Sequence, residues 1–147
     1  MRAVVTRVKS ASVEIDGKVN SQIGRGYLIL LGVGPNDTGE TAVKLADKIC
    51  NLRIFEDENG KMNRSLEQVD GSILVVSQFT LYADTSSRRP GFTGAAKPDL
   101  AIPLYEKFMA RCRERGFTVE HGEFGAKMDV ESLNHGPVTI LFDTEKP

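Results

Sequence analysis

Residues Tyr27 to Val33 read Tyr-Leu-Ile-Leu-Leu-Gly-Val, and this run constrains the fold more than any other stretch of the chain. It contains no charged side chain and shows no polar alternation. A strand with one wet face alternates apolar and polar residues, so a run without alternation reads as a central strand covered on both faces. Its apolar part, Tyr27 to Leu31, is far shorter than the roughly 20 residues that span a bilayer. A chain built around this run needs neighbouring strands on its edges and a packed layer on each side.

The flanking sequence supplies them. Ala3 to Val8 alternates, with Val4, Thr6 and Val8 on one face. Ala11 to Ile15 and Lys18 to Ile23 enclose Asp16-Gly17, a dipeptide suited to a two-residue hairpin turn. Arg53 to Phe55 and Lys61 to Asn63 surround Asn59-Gly60, a second hairpin signal. The turn at Asp70-Gly71 opens a long strand from Ile73 to Tyr82, and strands near Thr118 to Phe124, Lys127 to Val130 and Val138 to Asp143 end the chain.

Two helices are inserted. Asp37 with Glu40 resembles a capping box, after which Ala42, Leu45, Ala46, Ile49 and Cys50 recur at helical spacing. The second helix runs from about Pro103 to Arg115, with Leu104, Tyr105, Phe108, Met109 and Cys112 facing inward. Arg111, Arg113 and Arg115 complement its C-terminal dipole, and Gly116 suits the position that ends it. Ala83 to Pro98 is rich in Ser, Thr, Gly and Pro and reads as a loop. The expected fold is α+β: one domain over residues 1–147, with a mostly antiparallel, barrel-like β-sheet and two packed α-helices.

A domain of 147 residues buries roughly 70% of its unfolded surface and needs no metal or disulfide staple. Cys50 and Cys112 fall on apolar helix positions without metal-ligand spacing, as reduced core cysteines do. His121 and His135 are the only histidines and complete neither a zinc spacing nor a Ser/His/Asp pattern. Gly32-Val33-Gly34 lacks the third glycine of a dinucleotide fingerprint and is broken by Pro35. Neither metal nor cofactor is expected. The start of the chain lacks an apolar signal core, so the expected location is cytoplasmic, with no membrane partner. A net charge of −1 argues against coating long nucleic acid but allows a grip on one end through a local basic patch. Arg88 and Arg89 fit either such a patch or a solvated loop.

Two segments carry the chemistry. Ser77-Gln78-Phe79-Thr80-Leu81-Tyr82 leaves the apolar run Ile73 to Val76, and alternation puts Gln78, Thr80 and Tyr82 on one face. The segment fits an ordinary edge strand or the wall of a pocket. Asn134-His135-Gly136-Pro137-Val138-Thr139 enters the last strand through an irregular turn, where proline has no N–H and the Gly136 and Pro137 carbonyls stay free to accept.

Together these segments resemble the Ser-Gln-x-Thr-Leu and Asn-x-Gly-Pro-x-Thr motifs of D-aminoacyl-tRNA deacylases. Ala11 to Gly17, Arg53 to Asn63 and Phe124 to Met128 are also similar to that family, in order and over nearly the whole chain. The resemblance implies a homodimer with active sites at the interface and a cis Gly136-Pro137 bond reaching into the partner's pocket. There it rejects L-aminoacyl groups above a floor of Ser77, Gln78, Phe79 and Thr80. It implies D-aminoacyl-tRNA and glycyl-tRNA as substrates, no DNA, and tRNA contacts at Phe124 and Met128 and, more loosely, at Arg88 and Arg89. Thr80 has no base partner in the sequence. The expected ester hydrolysis therefore rests on backbone amides near Phe79 and Thr80, with help from the tRNA 2′-hydroxyl. The alternative is a non-catalytic tRNA 3′-end-binding protein.

Overall fold

The computed structural model describes residues 1–147. The sheet is built on β1 (Arg2–Ile15), which bonds three strands. Its second half pairs with β2 (Lys18–Ile23) across the Asp16-Gly17 turn, and its first half pairs with β3 (Gly26–Gly32) along the same edge. The segments Ala3 to Val8 and Ala11 to Ile15, expected as separate strands, are thus one strand. Its opposite edge is lined by β8 (Asp129–Asp143).

Beyond β3 the sheet continues with β6 (Ser72–Ser77) and β7 (Val119–His121), both joined in parallel. The sheet is therefore mixed, which corrects the expectation of a mostly antiparallel one. The reason is connectivity. α1 (Gly39–Cys50) is carried on the crossover from β3 to β6, and α2 (Pro98–Glu114) on the crossover from β6 to β7. Parallel neighbours need such crossovers, whereas hairpins give antiparallel ones. A small separate hairpin pairs β4 (Phe55–Glu56) with β5 (Met62–Arg64) around Asn59-Gly60. No helix is long and apolar enough to cross a membrane.

Both faces of the sheet are covered, as the Tyr27 to Val33 run demands. Tyr27, Ile29 and Leu31 share a core with Ile73, Val75 and the inner faces of α1 and α2. Leu28 joins Val8, Val13, Ile23, Leu74 and Val76 in a second cluster on the other face. The curved sheet, with β2 lying near β6 and β7, is nearly closed.

Local chemistry moves several boundaries. α1 is capped by Thr38 and Thr41, each bonding the other's backbone N–H, rather than by Asp37 and Glu40. Asp37 is buried instead and accepts from the Met1 ammonium at 2.7 Å and from Gly34 N–H at 2.6 Å. α2 begins at Pro98, five residues before the expected start, and carries Pro103 inside it. Proline suits the first helical turn, and Pro103 lies on an exposed face. Only Val119–His121 of the expected strand Thr118 to Phe124 is extended and paired.

Candidate active site

The strand expected from Ile73 to Tyr82 ends at Ser77, and Phe79–Tyr82 forms a 3-10 turn. The alternating faces expected for Gln78, Thr80 and Tyr82 are therefore not realised. Gln78 N–H still reaches Leu31 O at 2.8 Å, one step past the ladder, before the chain coils. Leu81 N–H and Ala83 N–H close the turn on Gln78 O and Thr80 O at 3.2 and 3.1 Å. The amides of Phe79 and Thr80, at the start of the turn, donate to no protein acceptor. Phe79 and Thr80 are exposed, and Gln78 Nε2 donates to Thr80 Oγ1 at 2.5 Å. The result is a shelf with two unpaired N–H donors beside a hydroxyl.

The shelf rests on glycine. A Cβ at Gly32 would lie 3.0 Å from Gln78 O, and one at Gly34 would lie 2.9 Å from the Tyr82 hydroxyl. The Gly32-Val33-Gly34 pattern thus serves the close approach of this turn to β3. Arg2 clamps the turn from the other side. Its Nη1 donates to Leu81 O at 2.8 Å, its guanidinium lies 4.4 Å from the Tyr82 ring centroid, and its Nε pairs with Asp143 at 3.2 Å. Burial, then the nearby Asp37 carboxylate, hold the Tyr82 phenol far above its ordinary range.

The second motif is a bulge in β8. Asn134 pairs with Val8 and Thr139 with Thr6, so residues 135–138 loop out opposite the single residue Arg7. The Gly136-Pro137 bond is cis, as the resemblance implies, and both residues are exposed. Beneath them Arg7 is buried. Its Nε donates to His135 O at 3.0 Å and its Nη1 to Ile54 O at 2.6 Å. Arg7 thereby ties the bulge to the start of the β4–β5 hairpin. His135 Nδ1 is buried without a protein partner.

Within one chain the two motifs stand apart. Ser77 is level with Leu31, Ala3 and Phe142 across the sheet, whereas the bulge is level with Arg7, Tyr27 and Ile73. Three inter-strand steps separate them, about 14 Å measured along the sheet, before the offset along the strands is added.

The remaining expected tRNA-binding residues distribute unevenly. After β7 the chain leaves the sheet at Gly122, whose N–H reaches Val75 O at 3.1 Å. Phe124 and Met128 are half-buried. Phe124 packs edge-on against Tyr105 with centroids 6.1 Å apart, and Met128 lies on the smaller core cluster. Arg88 and Arg89 are exposed in a loop closed at its base by paired hydrogen bonds between Asp84 and Gly91, at 2.8 and 2.9 Å. Just beyond, Phe92 meets Phe79 edge-on with centroids 5.1 Å apart, joining that loop to the shelf. A cavity of about 660 Å³ lies elsewhere, between α1 and the end of β8, and no motif residue lines it.

Comparison with known proteins decides the family. The family described as D-Tyr-tRNA(Tyr) deacylase matches residues 4–143, which contain both motifs. The chain belongs to this family. A curated D-aminoacyl-tRNA deacylase of Thermus aquaticus is 56% identical over 149 residues, covering 100% of this chain and 98% of that protein. One from Exiguobacterium sibiricum is 57% identical over 144 residues, covering 97% and 99%. Among solved structures, the c-Myc DNA Unwinding Element Binding Protein superposes with a TM-score of 0.92 at 41% identity, covering 98% of this chain and 99% of that one. A probable eukaryotic D-amino acid tRNA deacylase superposes with a TM-score of 0.83 at 18% identity, covering 96% and 97%, and shares the fold.

Two residues of this D-Tyr-tRNA(Tyr) deacylase family member escaped sequence reading. Arg2 and Arg7 sit in an alternating strand, where a charged side chain reads as solvent-facing. A signal existed for Arg7: Val4, Thr6 and Val8 on one face leave Ala3, Val5 and Arg7 on the other. That apolar face makes an arginine at its end anomalous.

Proposed function

We propose that this protein hydrolyses the ester of D-aminoacyl-tRNA, releasing the D-amino acid and tRNA, as a homodimer whose two active sites each draw on both chains. The observation that carries this reading is the separation of the motifs. The shelf at residues 77–80 offers donors, and the Gly136-Pro137 bulge of the same chain lies too far along the sheet to close over it. A second copy brings its own bulge over the shelf. β8 is suited to such a contact, since its outer edge is unpaired and it exposes Leu133 and Leu141 at 58% and 77%.

The chemistry then follows from the backbone. The amides of Phe79 and Thr80 donate to the ester carbonyl oxygen as it gains charge, which is worth about 3 kcal/mol for one well-placed donor. Water attacks the carbonyl carbon, and the tRNA 2′-hydroxyl beside the scissile ester assists it. Thr80 orients through Gln78 rather than attacking, because its hydroxyl touches no base. The partner's Gly136 and Pro137 carbonyls accept the substrate ammonium and fix the α-carbon. An L side chain then meets backbone, whereas a D side chain points to solvent. Glycine has nothing to reject and is cleaved too. Selectivity of this kind works by excluding the mirror form. Phe124 and Met128 border the adenosine end, and Arg88 and Arg89 take backbone phosphates.

Matched D- and L-tyrosyl-tRNA, scored for ester loss, test the reading. Fast loss of the D ester alone supports it. Equal loss of both removes the chiral claim, and binding without ester loss turns the protein into a tRNA-end binder. The name of the DNA-binding structural relative makes duplex DNA a necessary arm. Tight duplex-DNA binding at physiological salt, without ester loss, would count against both the hydrolase and the tRNA-end binder and favour a DNA-binding role like that in the relative's name.

A further inference from the structure

Cys50 and Cys112 take no part in the site described above, yet their Sγ atoms lie 3.8 Å apart where α1 meets α2. Both thiols are free. Cys50 is the last residue of α1, and Cys112 lies two residues before the end of α2. Their surroundings differ. Cys112 is fully enclosed, while Cys50 keeps 2% exposure and lines a cavity of about 430 Å³. Arg53, Arg64 and Arg115 line the same cavity.

This asymmetry gives the two sulfurs different chemistry. The hydrogen bond shared with Cys112, with help from Arg115 and Arg111 and against burial and Asp47, holds the Cys50 thiol below its ordinary range. Cys112 is pushed far up by its bond to Cys50, by burial and by the Cys50 charge. A thiolate, not a thiol, is the nucleophile toward oxidants. The pair therefore presents one sulfur, Cys50, to the cavity, with Cys112 enclosed in contact behind it.

We propose that Cys50 and Cys112 form an oxidisable dithiol, in which peroxide entering this cavity oxidises Cys50 and Cys112 resolves the product to a disulfide between the two helices. In the first step the Cys50 thiolate attacks one peroxide oxygen. The O–O bond breaks, hydroxide leaves and takes a proton as water, and Cys50 becomes a sulfenic acid. That product is neutral, so the Cys50 charge no longer opposes ionisation of Cys112. In the second step the Cys112 sulfur attacks the Cys50 sulfur, the S–O bond breaks, and the oxygen leaves as water with the Cys112 proton. Two thiols and one peroxide give one disulfide and two waters. The sulfurs must close from 3.8 Å to about 2.0 Å for the bond to form. The resolving thiol stops Cys50 at the reversible stage of oxidation, short of the sulfinic acid.

The test treats the reduced, full-length protein with equimolar hydrogen peroxide, then alkylates under denaturing, non-reducing conditions and maps peptides by mass. The expected product is a single intramolecular Cys50–Cys112 peptide lighter by two hydrogens, with loss of both free thiols and full recovery on dithiothreitol. Cys112→Ser should leave a dimedone-reactive sulfenic acid at Cys50, and Cys50→Ser should leave Cys112 unoxidised. The proposal is overturned if wild-type thiols both remain alkylatable, if Cys112 is oxidised first, or if disulfides form only between chains. Should either variant fail to fold, the wild-type peptide map decides alone.

Discussion

Arg7 occupies the space that a side chain at Gly136 would need: a Cβ built on Gly136 falls 2.7 Å from Arg7 Nη2. The bulge that carries Gly136 and Pro137 is thus supported from below by a buried cation bonded to two backbone carbonyls. Arg7→Met keeps most of the volume and removes every donor. The carbonyls of His135 and Ile54 then lose their partner, at about 1–3 kcal/mol each, offset in part because a buried charge disappears as well. A net loss of about 2 kcal/mol is expected in urea unfolding. D-tyrosyl-tRNA turnover should fall more than tRNA affinity does. Unchanged stability and turnover would mean that Arg7 does not hold the bulge.

Gly136 itself has φ +127, a conformation that L side chains rarely adopt. Gly136→Val therefore meets both backbone strain and the Arg7 guanidinium. The variant is expected to abolish D-tyrosyl-tRNA hydrolysis. Circular dichroism should still report the folded sheet, because the ladder pairs on either side of the bulge, Thr6–Thr139 and Val8–Asn134, do not involve Gly136. Normal D-tyrosyl turnover by this variant would count against the proposed wedge.

Thr80 separates a backbone-driven mechanism from a nucleophilic one. Its hydroxyl accepts from Gln78 Nε2 and touches no histidine, lysine or carboxylate. Thr80→Ala should therefore keep kcat/KM within about tenfold of wild type. Removing a true nucleophile lowers kcat by on the order of 10⁴ or more. A loss of that size, measured in single-turnover ester release, would make Thr80 a reacting group.

The loop bearing Arg88 and Arg89 is closed by the Asp84–Gly91 bonds and joined to the shelf through the Phe79–Phe92 pair. Replacing both arginines with alanine should weaken tRNA binding and lower the salt slope. For single-stranded RNA, every phosphate left without its arginine reduces the slope of log K against log salt by about 0.7. Turnover at saturating substrate should barely change. An effect confined to kcat would place these arginines at the ester instead.

Much of this arrangement was legible in the residues, but unequally. The Tyr27 to Val33 run anticipates a strand buried on both faces, and Asp16-Gly17 and Asn59-Gly60 mark real turns. Periodicity locates the inner faces of both helices. What it does not encode is partnership. β3 and β6 are far apart in sequence, and nothing local reveals that the crossover between them makes them parallel. The coil at Phe79–Tyr82 is likewise imposed from outside, by the closeness of Gly32 and Gly34 and by the Arg2 clamp. Alternation therefore carries the expected strand past its true end. Asp37 misleads for a related reason: next to Thr38 it looks like a cap, yet Gly34 N–H and the Met1 ammonium claim its carboxylate.

The helical layer offers a prediction whose sign depends on pH. Asp47 on α1 accepts from Arg111 Nε at 2.8 Å and Nη2 at 3.3 Å, and from Arg115 Nη1 at 3.4 Å, bridging α1 to the end of α2. The Arg111 hydrogen bond is the main reason the Asp47 carboxyl sits below its usual range, and it outweighs partial desolvation. A carboxyl depressed in the folded state stabilises above its unfolded pKa, about 3.9, and that contribution disappears as pH falls through the lower folded value. Asp47→Asn should therefore cost up to about 1 kcal/mol at pH 7, since the pair is partly solvated and screened. The gap from wild type should shrink steadily below about pH 4 and in about 1 M salt. Urea titrations of both proteins at pH 7 and pH 3 measure it. A gap equal at the two pH values would trace to altered packing between the helices, not to the charge on Asp47.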